Sequence, residues 1–263
     1  MTRAAIDALR TERALLLDVL HSLTDAEWEA PSACAGWRVQ DVVAHQASSM
    51  RMAVDPASIP PGGGDDFEAD AELPVAARSE WSHGDVLGEY EEYSAAAIEA
   101  LAGAQDPPGA DMLIPLANLG THPLHLLADA IAFDHYCHLR NDLLAPRGPL
   151  HRPRPSDDSA LAPTVTWFWA AYPQQGAQAL TFLDRPVAFR LTGTGGGEWT
   201  LSRRVDGALE VAAEIAPNAA ATLTSSTDAL VLWGTKRADW RDHVDIDGDV
   251  EYATRVLDVM KFV

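Results

Sequence analysis

Three polar residues that can bind metals or move protons lie close together in the segment AFDHYCHLRNDLLAP, residues 132–146. Asp134 and His138 are four residues apart, so on a helix their directions differ by only about 40° and both side chains can reach one point. Leu127 and Ile131 lie on the same face. A carboxylate and an imidazole turned into a helical core are costly unless a hydrogen bond or a metal ion compensates them.

The residues alone leave two explanations for this pair open. One is an ordinary Asp–His hydrogen bond that satisfies a histidine in the core. The other is a metal site, for which His45 on a separate helix can supply a third ligand from across a bundle. Three protein ligands leave one coordination position open, as catalytic sites do. His135 points about 60° from His138 and is a candidate proton shuttle, although ordinary packing explains it as well.

Four long helices are predicted to carry these residues. Apolar spacing predicts them over residues 4–22, about 39–53, roughly 76–103 and 122–144, with a short helix capped by Thr24 and Glu27 after the first. The segment VDPASIPPGGGDDFEADAELP, residues 54–74, is rich in Pro, Gly and acidic residues and is predicted to be a loop or lid. These connections favour an antiparallel four-helix bundle.

A proline-rich segment, residues 146–163, then separates two sequence patterns and predicts an interdomain linker. Beyond it, PVAFRLTGTGGGEWTLSRRV alternates around a Gly-rich turn as a β-hairpin does, and ALEVAAEI and AATLTSS are typical of strands. TDALVLWG and DVEYATRVLDVMKF are typical of helices. The predicted fold is α plus α+β: a four-helix bundle in residues 1–147, followed by a smaller α+β domain in residues 164–263.

Composition argues against several classes of partner. With 39 acidic and 19 basic residues the formal net charge is −20, which repels nucleic acid and an anionic membrane surface. Cys34 and Cys137 form no CxxC pair, so neither a disulfide framework nor a thiolate zinc site is predicted. There is no bilayer-spanning apolar run, and the charged N-terminus lacks signal-peptide features. We therefore expect a cytoplasmic protein without membrane or nucleic-acid contacts, either a monomer or a homodimer.

Two motifs resemble those of the mycothiol-dependent maleylpyruvate isomerase family, a group of DinB/YfiT-like four-helix metalloproteins. GWRVQDVVAHQASS resembles the family's GW-x-V-x-D-V-x-x-H opening, and DHYCHLRN resembles its second motif, an acid followed four residues later by His. The resemblance implies metal-ligand roles for His45, Asp134 and His138. Asn141 stands where the family frequently has Asp, a departure that concerns only a supporting contact. The C-terminal part resembles, more loosely, the family's sterol-carrier-like domain.

The resemblance also implies a chemistry. A divalent metal, with zinc first and nickel, cobalt or iron as alternatives, would act with mycothiol as cosubstrate. The protein would then be an isomerase or S-transferase for a small electrophilic substrate. Arg237, in WGTKRADW, is implied as a catalytic residue, with a generic surface arginine as the alternative. Two other functions stay open: a non-catalytic small-molecule-binding protein, and a metal-dependent hydrolase that uses a bound water.

Overall fold

The chain folds into two compact units. The structure, a computed structural model, describes residues 3–58 and 67–262. The first unit comprises residues 1–117 and 121–163, and the second comprises residues 118–120 and 164–263. A helical unit precedes a unit that contains a sheet, which confirms the predicted fold class of a helical bundle followed by an α+β domain. The domain boundaries 1–147 and 164–263 stay predictions.

Helices dominate the described part of the first unit. They are α1 (Arg3–Leu20), α2 (Asp25–Trp28), α3 (Val39–Val54), α4 (Phe67–Ala76), α5 (His83–Gly103) and α6 (Leu127–Cys137). The predicted capping box begins α2: the Thr24 side chain accepts from the Glu27 backbone N–H, and the Glu27 carboxylate accepts from the Thr24 backbone N–H. Ser82 and Asp85 form the same arrangement at the start of α5.

Between α3 and α5 the structure differs from the sequence prediction. Residues 67–76 are helical, whereas the sequence predicted a loop over residues 54–74; its central residues 59–66 lie outside the described part. The helix-forming stretch FEADAEL was obscured by the Pro and Gly residues around it. Helix α5 begins at His83 and not near Ala76, because Ser82 caps the helix there and residues 77–82 form turns.

The last long helix of the bundle is shorter than predicted at its start and changes type at its end. Strand β1 (Leu113–Pro115) pairs antiparallel with β2 (Thr121–Pro123), so residue 122 is extended and not helical. After α6, the segment His138–Leu143 continues as a π-helix. A π-helix has a wider turn than an α-helix, so side-chain directions beyond His138 depart from the 100° per residue used for the prediction.

Two apolar clusters fill the bundle and show the direction of each helix. Helix α1 runs from the cluster around Leu9 to the cluster around Leu16, and α6 with its π-helical extension runs the same way. Helices α3 and α5 both run the opposite way. The prediction of a simple antiparallel bundle is therefore wrong for α3 and α5, which are parallel. The long connection through α4 makes this possible, because it returns the chain to the level at which α3 began.

The second unit contains a five-stranded sheet. Helix α7 (Leu161–Gln175) leads into it and is followed by β3 (Val187–Thr192), β4 (Gly197–Arg203), β5 (Leu209–Ala212), β6 (Ala221–Ser226), α8 (Thr227–Gly234), β7 (Asp245–Gly248) and α9 (Val250–Val259). The strand order is β5-β4-β3-β6-β7, in which only β3 and β6 pair in parallel.

The hairpin predicted from the Gly-rich sequence is confirmed. Strands β3 and β4 pair antiparallel, and Gly193 and Gly195 between them have φ values of +95° and +72°. Glycine adopts such angles without the steric cost that a Cβ imposes. Helix α7 and strand β7 were not predicted from the sequence patterns. Helix α7 is apolar on most of its surface, so it lacks the amphipathic pattern by which helices are recognised.

Candidate metal centre

The three residues predicted as metal ligands lie together inside the first unit. His45 lies in the middle of α3, Asp134 lies in α6, and His138 begins the π-helix. His45 Nε2 lies 3.2 Å from Asp134 Oδ1, and His138 Nε2 lies 3.2 Å from the same oxygen. The centroids of the two imidazole rings are 5.1 Å apart. Two imidazole nitrogens and one carboxylate oxygen therefore meet at one point.

The motif GWRVQDVVAH builds the His45 side of this cluster. Gly36 has a φ of +86°, in the left-handed region that favours glycine, and it turns the chain toward α3. The Asp41 carboxylate accepts from the Arg38 backbone N–H at 2.8 Å and from its Nε–H at 3.0 Å, which stabilises the start of α3. The Trp37 ring lies 5.3 Å from the His45 ring. The motif thus determines where α3 starts and what surrounds His45.

Asp142 contacts His138 on the side away from Asp134. His138 Nδ1 lies 2.9 Å from Asp142 Oδ2, and only 1% of the Asp142 side chain is exposed. A carboxylate that accepts the Nδ1–H leaves Nε2 with its lone pair available to a metal. Asp142 was not among the predicted site residues, because Asn141 was the one residue predicted to make a supporting contact. The signal was present, since Asp142 follows His138 by four residues.

A second group of donor atoms overlaps with the first at His138. Cys34 Sγ lies 3.6 Å from His138 Nδ1, and one donor atom each of Cys34, His138 and Asp142 lie within 4.8 Å of one another. Cys34 is held there because the Ala33 N–H donates to the Asp142 carbonyl oxygen at 3.0 Å. Since Nδ1 is already within hydrogen-bonding distance of Asp142, the group around Asp134 is the better candidate for a metal, and Cys34 lies beside it.

The donor set of His45, Asp134 and His138 fits a divalent metal. Asp134 Oδ2 is buried and has no hydrogen-bond partner among the described residues. The two distances to Oδ1 exceed the roughly 2.7–2.9 Å of a charge-assisted hydrogen bond. Imidazole and carboxylate are ligands that zinc, nickel, cobalt and iron accept. The Asp134 side chain is 25% exposed, so the donors lie near the surface of the unit.

Burial and mutual contacts determine the charges in this cluster. Burial opposes ionisation of Asp134, but the imidazoles of His138 and His45 outweigh it and hold the pKa of Asp134 well below its ordinary value. Burial also disfavours the imidazolium form of His138, but the carboxylates of Asp134 and Asp142 outweigh it and raise the pKa of His138. Asp134 is thus an anion, the form that binds metals, and a metal must displace the proton from His138 Nε2.

His135 adjoins the cluster but faces the interior of the bundle. Its side chain is 1% exposed, and its Nδ1 lies 3.8 Å from Asp134 Oδ2. The Nδ1–H donates to the Ile131 carbonyl oxygen at 3.0 Å, and Nε2 has no hydrogen-bond partner within the described ranges. Burial lowers the pKa of His135 to about 4. The ring is therefore neutral at physiological pH and offers Nε2 as an acceptor.

Arg237 lies in the second unit, just after α8. Its backbone N–H donates to the Leu232 carbonyl oxygen at 2.8 Å, and its side chain is half-buried. The structure therefore brings together His45, Asp134 and His138 with His135 beside them, whereas Arg237 belongs to the other unit.

Both units match known protein families. Residues 9–140 match the family model of the mycothiol maleylpyruvate isomerase N-terminal domain. This match spans half of the chain and includes all three candidate ligands. The chain belongs to this family. Membership in the family confirms the resemblance seen in the sequence and the prediction of a mycothiol-dependent isomerase as the type of enzyme. Residues 169–261 match the SCP-2 sterol transfer family.

Solved structures show the same fold. The crystal structure of the mycothiol-dependent maleylpyruvate isomerase has 16% sequence identity to the chain, and that of a His-to-Ala mutant has 15%. In both comparisons 94% of this chain and 93% of the other are covered, with a TM-score of 0.54. No curated protein sequence gives a match. Over residues 3–58 and 67–262, no helix combines the length and apolar character that crossing a membrane requires.

Proposed function

We propose that the protein is a metal-dependent enzyme that uses mycothiol to isomerise a small electrophilic substrate. The observation that carries this proposal is the convergence of His45, Asp134 and His138 within the part of the chain that matches the family model. The family supports mycothiol as the thiol, and the solved structures are named for maleylpyruvate as substrate. The proposed substrate class is a molecule with an activated cis double bond, such as a maleyl group.

In this proposal His45, Asp134 and His138 hold one divalent ion, with zinc as the first candidate. Such an ion supplies positive charge that lowers the pKa of an incoming thiol. Neighbouring residues orient the two histidine ligands. Asp142 accepts the Nδ1–H of His138 and so orients its Nε2, and Trp37 packs against the His45 ring. Three protein ligands leave room for an exogenous one.

The thiol chemistry conserves atoms and electrons. The thiolate sulfur adds to one carbon of the double bond, and the electron pair of that bond moves into the conjugated carbonyl to give an enolate. The former double bond is now single and rotates. When the enolate collapses, the C–S bond breaks, the thiolate leaves, and the trans double bond forms. If the enolate carbon instead takes a proton and the thioether is released, the outcome is S-transfer.

His135 and Arg237 are the proposed catalytic residues of this reaction. Support for His135 is its position beside Asp134, with an uncommitted Nε2 on a neutral ring. Arg237 is proposed because of the chemistry of its side chain: a guanidinium is permanently charged and binds carboxylates in a bidentate manner. The acid groups of the thiol or of the substrate are its proposed ligands.

Metal uptake by purified variants tests the metal site. The wild-type protein is stripped with a chelator, reloaded with cobalt and dialysed. We expect about one cobalt per chain, and loss of binding in His45→Ala, Asp134→Ala and His138→Ala. His21→Ala is the matched control, because His21 is half-exposed and contacts Glu91 away from the cluster. A wild-type protein that takes up no metal near stoichiometry contradicts the proposed site.

Addition of thiols to the cobalt protein tests the proposed function. A thiolate on cobalt gives a charge-transfer absorption that nitrogen and oxygen ligands do not give. We expect mycothiol or its cysteinyl-glucosamine fragment to produce this band with the wild type but not with His138→Ala. Mass spectrometry of the products separates isomerisation, which leaves the substrate mass unchanged, from S-transfer. A cobalt protein that binds carboxylates or water but no thiol would support the hydrolase or the binding protein instead.

A further inference from the structure

A layer of polar residues divides the interior of the bundle. Apolar clusters fill its two ends, and each of the four long helices passes from one cluster to the other. At the level between the clusters each helix contributes a polar residue that is only 0–1% exposed. They are Glu12 in α1, Gln46 in α3, Ser94 in α5 and His135 in α6. The presence of such a residue in every helix indicates a polar layer and not a set of isolated exceptions.

The spacing along the helices places these residues at one level. Gln46 lies midway between Val42 in one apolar cluster and Met50 in the other. Ser94 and His135 have the same spacing, four residues from an apolar neighbour in each cluster. Residues four apart share a helix face, so the polar side chains face the same interior as their apolar neighbours.

Several polar atoms of this layer have no hydrogen-bond partner among the described protein atoms. They are Glu12 Oε1, both side-chain polar atoms of Gln46, His135 Nε2, and the hydroxyl of Tyr90, one turn before Ser94. The Tyr90 ring lies 5.8 Å from the His135 ring. Buried polar groups are rarely left unpaired, because each one forfeits its bonds to water and gains nothing in return. So many at one level indicate a shared ligand.

The charge and hydrogen-bonding capacity of the layer define that ligand. The Glu12 carboxylate is paired with the guanidinium of Arg140, which is also buried, so it is already compensated without an added ion. Gln46 supplies a donor and an acceptor, Tyr90 supplies a hydroxyl, and Glu12 and His135 supply acceptors. An apolar ligand would satisfy none of these atoms. A small neutral molecule that both donates and accepts satisfies them all.

We propose that this layer binds internal water molecules, which bridge Glu12, Gln46, Tyr90 and His135. An internal water typically makes about three hydrogen bonds to otherwise unpaired buried groups. The layer adjoins two candidate metal ligands, because Gln46 follows His45 and His135 follows Asp134 in sequence. The waters join all four long helices at this level. The proposal does not depend on the metal or on the proposed function.

The sign of a stability change tests the proposal. Tyr90→Phe and Gln46→Met remove hydrogen-bonding groups but keep similar volumes. If water bridges these groups, each variant leaves other atoms unpaired, and the equilibrium constant for unfolding in urea with chelator present rises about tenfold. If the atoms are dry and unpaired, their removal leaves the constant unchanged or lowers it, and the proposal is overturned. Tyr93→Phe, on the same helix but half-buried, is the control, with an expected change below about twofold.

Direct detection separates bridging water from a direct contact between side chains. Oxygen-17 relaxation dispersion detects water molecules that stay in the protein longer than it takes to tumble. We expect the wild type to show such waters and Gln46→Met to show fewer, and we expect a crystal structure to place ordered water within hydrogen-bonding distance of Gln46 and Tyr90. A crystal structure in which these side chains bond only to each other would overturn the proposal, even if both variants were destabilised.

Discussion

At the scale of single residues, the two ring nitrogens of His138 have separate partners. Nε2 faces Asp134, and Nδ1 lies 2.9 Å from Asp142. The Asp142 carboxylate accepts the Nδ1–H of the neutral ring. Nε2 is then the nitrogen whose lone pair is available to a metal. Asp142 is therefore a positioning residue for the proposed metal site, although it is not itself one of the three proposed ligands.

Replacement of Asp142 tests this role. In Asp142→Asn the amide oxygen still accepts the Nδ1–H, but the negative charge that makes the imidazole more basic is lost. We expect metal affinity to fall about tenfold to a hundredfold, whereas the three ligand variants lose binding altogether. Competition with a coloured chelator measures this affinity. The control variant Asp18→Asn removes an equal charge from a different helix, α1, and should bind metal as the wild type does. Equal affinities for Asp142→Asn and Asp18→Asn would contradict the assignment.

At the scale of elements, a buried ion-pair group joins α5 to α3 and to the turn after α4. Glu89 in α5 accepts from Arg51 near the end of α3 at 3.0 Å and from Arg78 after α4 at 2.7 Å. Glu89 and Arg78 are each 6% exposed. Removal of the partner of a buried charge is strongly destabilising, because the remaining charge stays buried without compensation. Glu89 thus holds the long connection between the two parallel helices against the bundle.

This group predicts a specific dependence of stability on pH. Burial alone would raise the pKa of Glu89, but the guanidiniums of Arg78 and Arg51 outweigh it and lower the pKa below its ordinary value of 4.5. A carboxylate with a lowered pKa contributes stability above its ordinary pKa and loses it as the pH falls through the folded-state pKa. We expect Glu89→Gln to lower the free energy of unfolding by about 3 kcal/mol at pH 7. The difference in unfolding free energy between the variant and the wild type should shrink as the pH falls below 4.5.

Urea unfolding from pH 7 downward measures this difference without the screening that guanidinium chloride introduces. Glu92→Gln is the matched control, because Glu92 is exposed on the same helix, and we expect it to stay within about 0.5 kcal/mol of wild type. If Glu89→Gln is as stable as Glu92→Gln at pH 7, the ion pairs do not hold the connection in place.

At the scale of the whole molecule, an exposed segment without regular structure precedes α7, the helix in which the first unit ends. Residues 151–159 contain no helix or strand, and most of them are exposed. Two arginines attach the segment to the helices of the first unit: Arg140 donates to the Asp157 carbonyl oxygen at 2.7 Å, and Arg152 lies 2.8 Å from the Glu27 carboxylate. Exposed backbone without internal hydrogen bonds is the usual site of proteolytic cleavage.

Limited proteolysis tests the predicted domain boundaries 1–147 and 164–263. We expect proteinase K to cut first within residues 151–159, with the alternative first site in the PPGGGDDFEAD segment, residues 60–70. Trypsin is unsuitable, since Pro153 and Pro155 follow the two arginines within residues 151–159. Mass spectrometry of the first products identifies the cut. Early cleavage inside α6 or its π-helical extension would show that this part of the bundle is less stable than its burial indicates.

Features that depend on residues close together in the chain could be predicted from the amino-acid sequence alone. The capping box of Thr24 and Glu27, the hairpin around Gly193 and the common direction of Asp134 and His138 all follow from spacings of a few residues. Local hydrogen bonds and backbone angles suffice to define such features. The motifs around His45 and His138 also indicated the family, because they combine helix-capping residues with candidate ligands in a specific order.

Contacts between residues far apart in sequence depend on how the helices pack, and they could not be predicted from local patterns. His45 and Asp134 are 89 residues apart in sequence, and no local pattern states that their helices face each other. The parallel course of α3 and α5 depends on the length and the anchoring of the connection between them. The contact of Cys34 with His138 depends on a backbone hydrogen bond between separate segments. The polar layer appears only when four helices are packed, since each contributes one residue that looks like an isolated exception in its own amphipathic pattern.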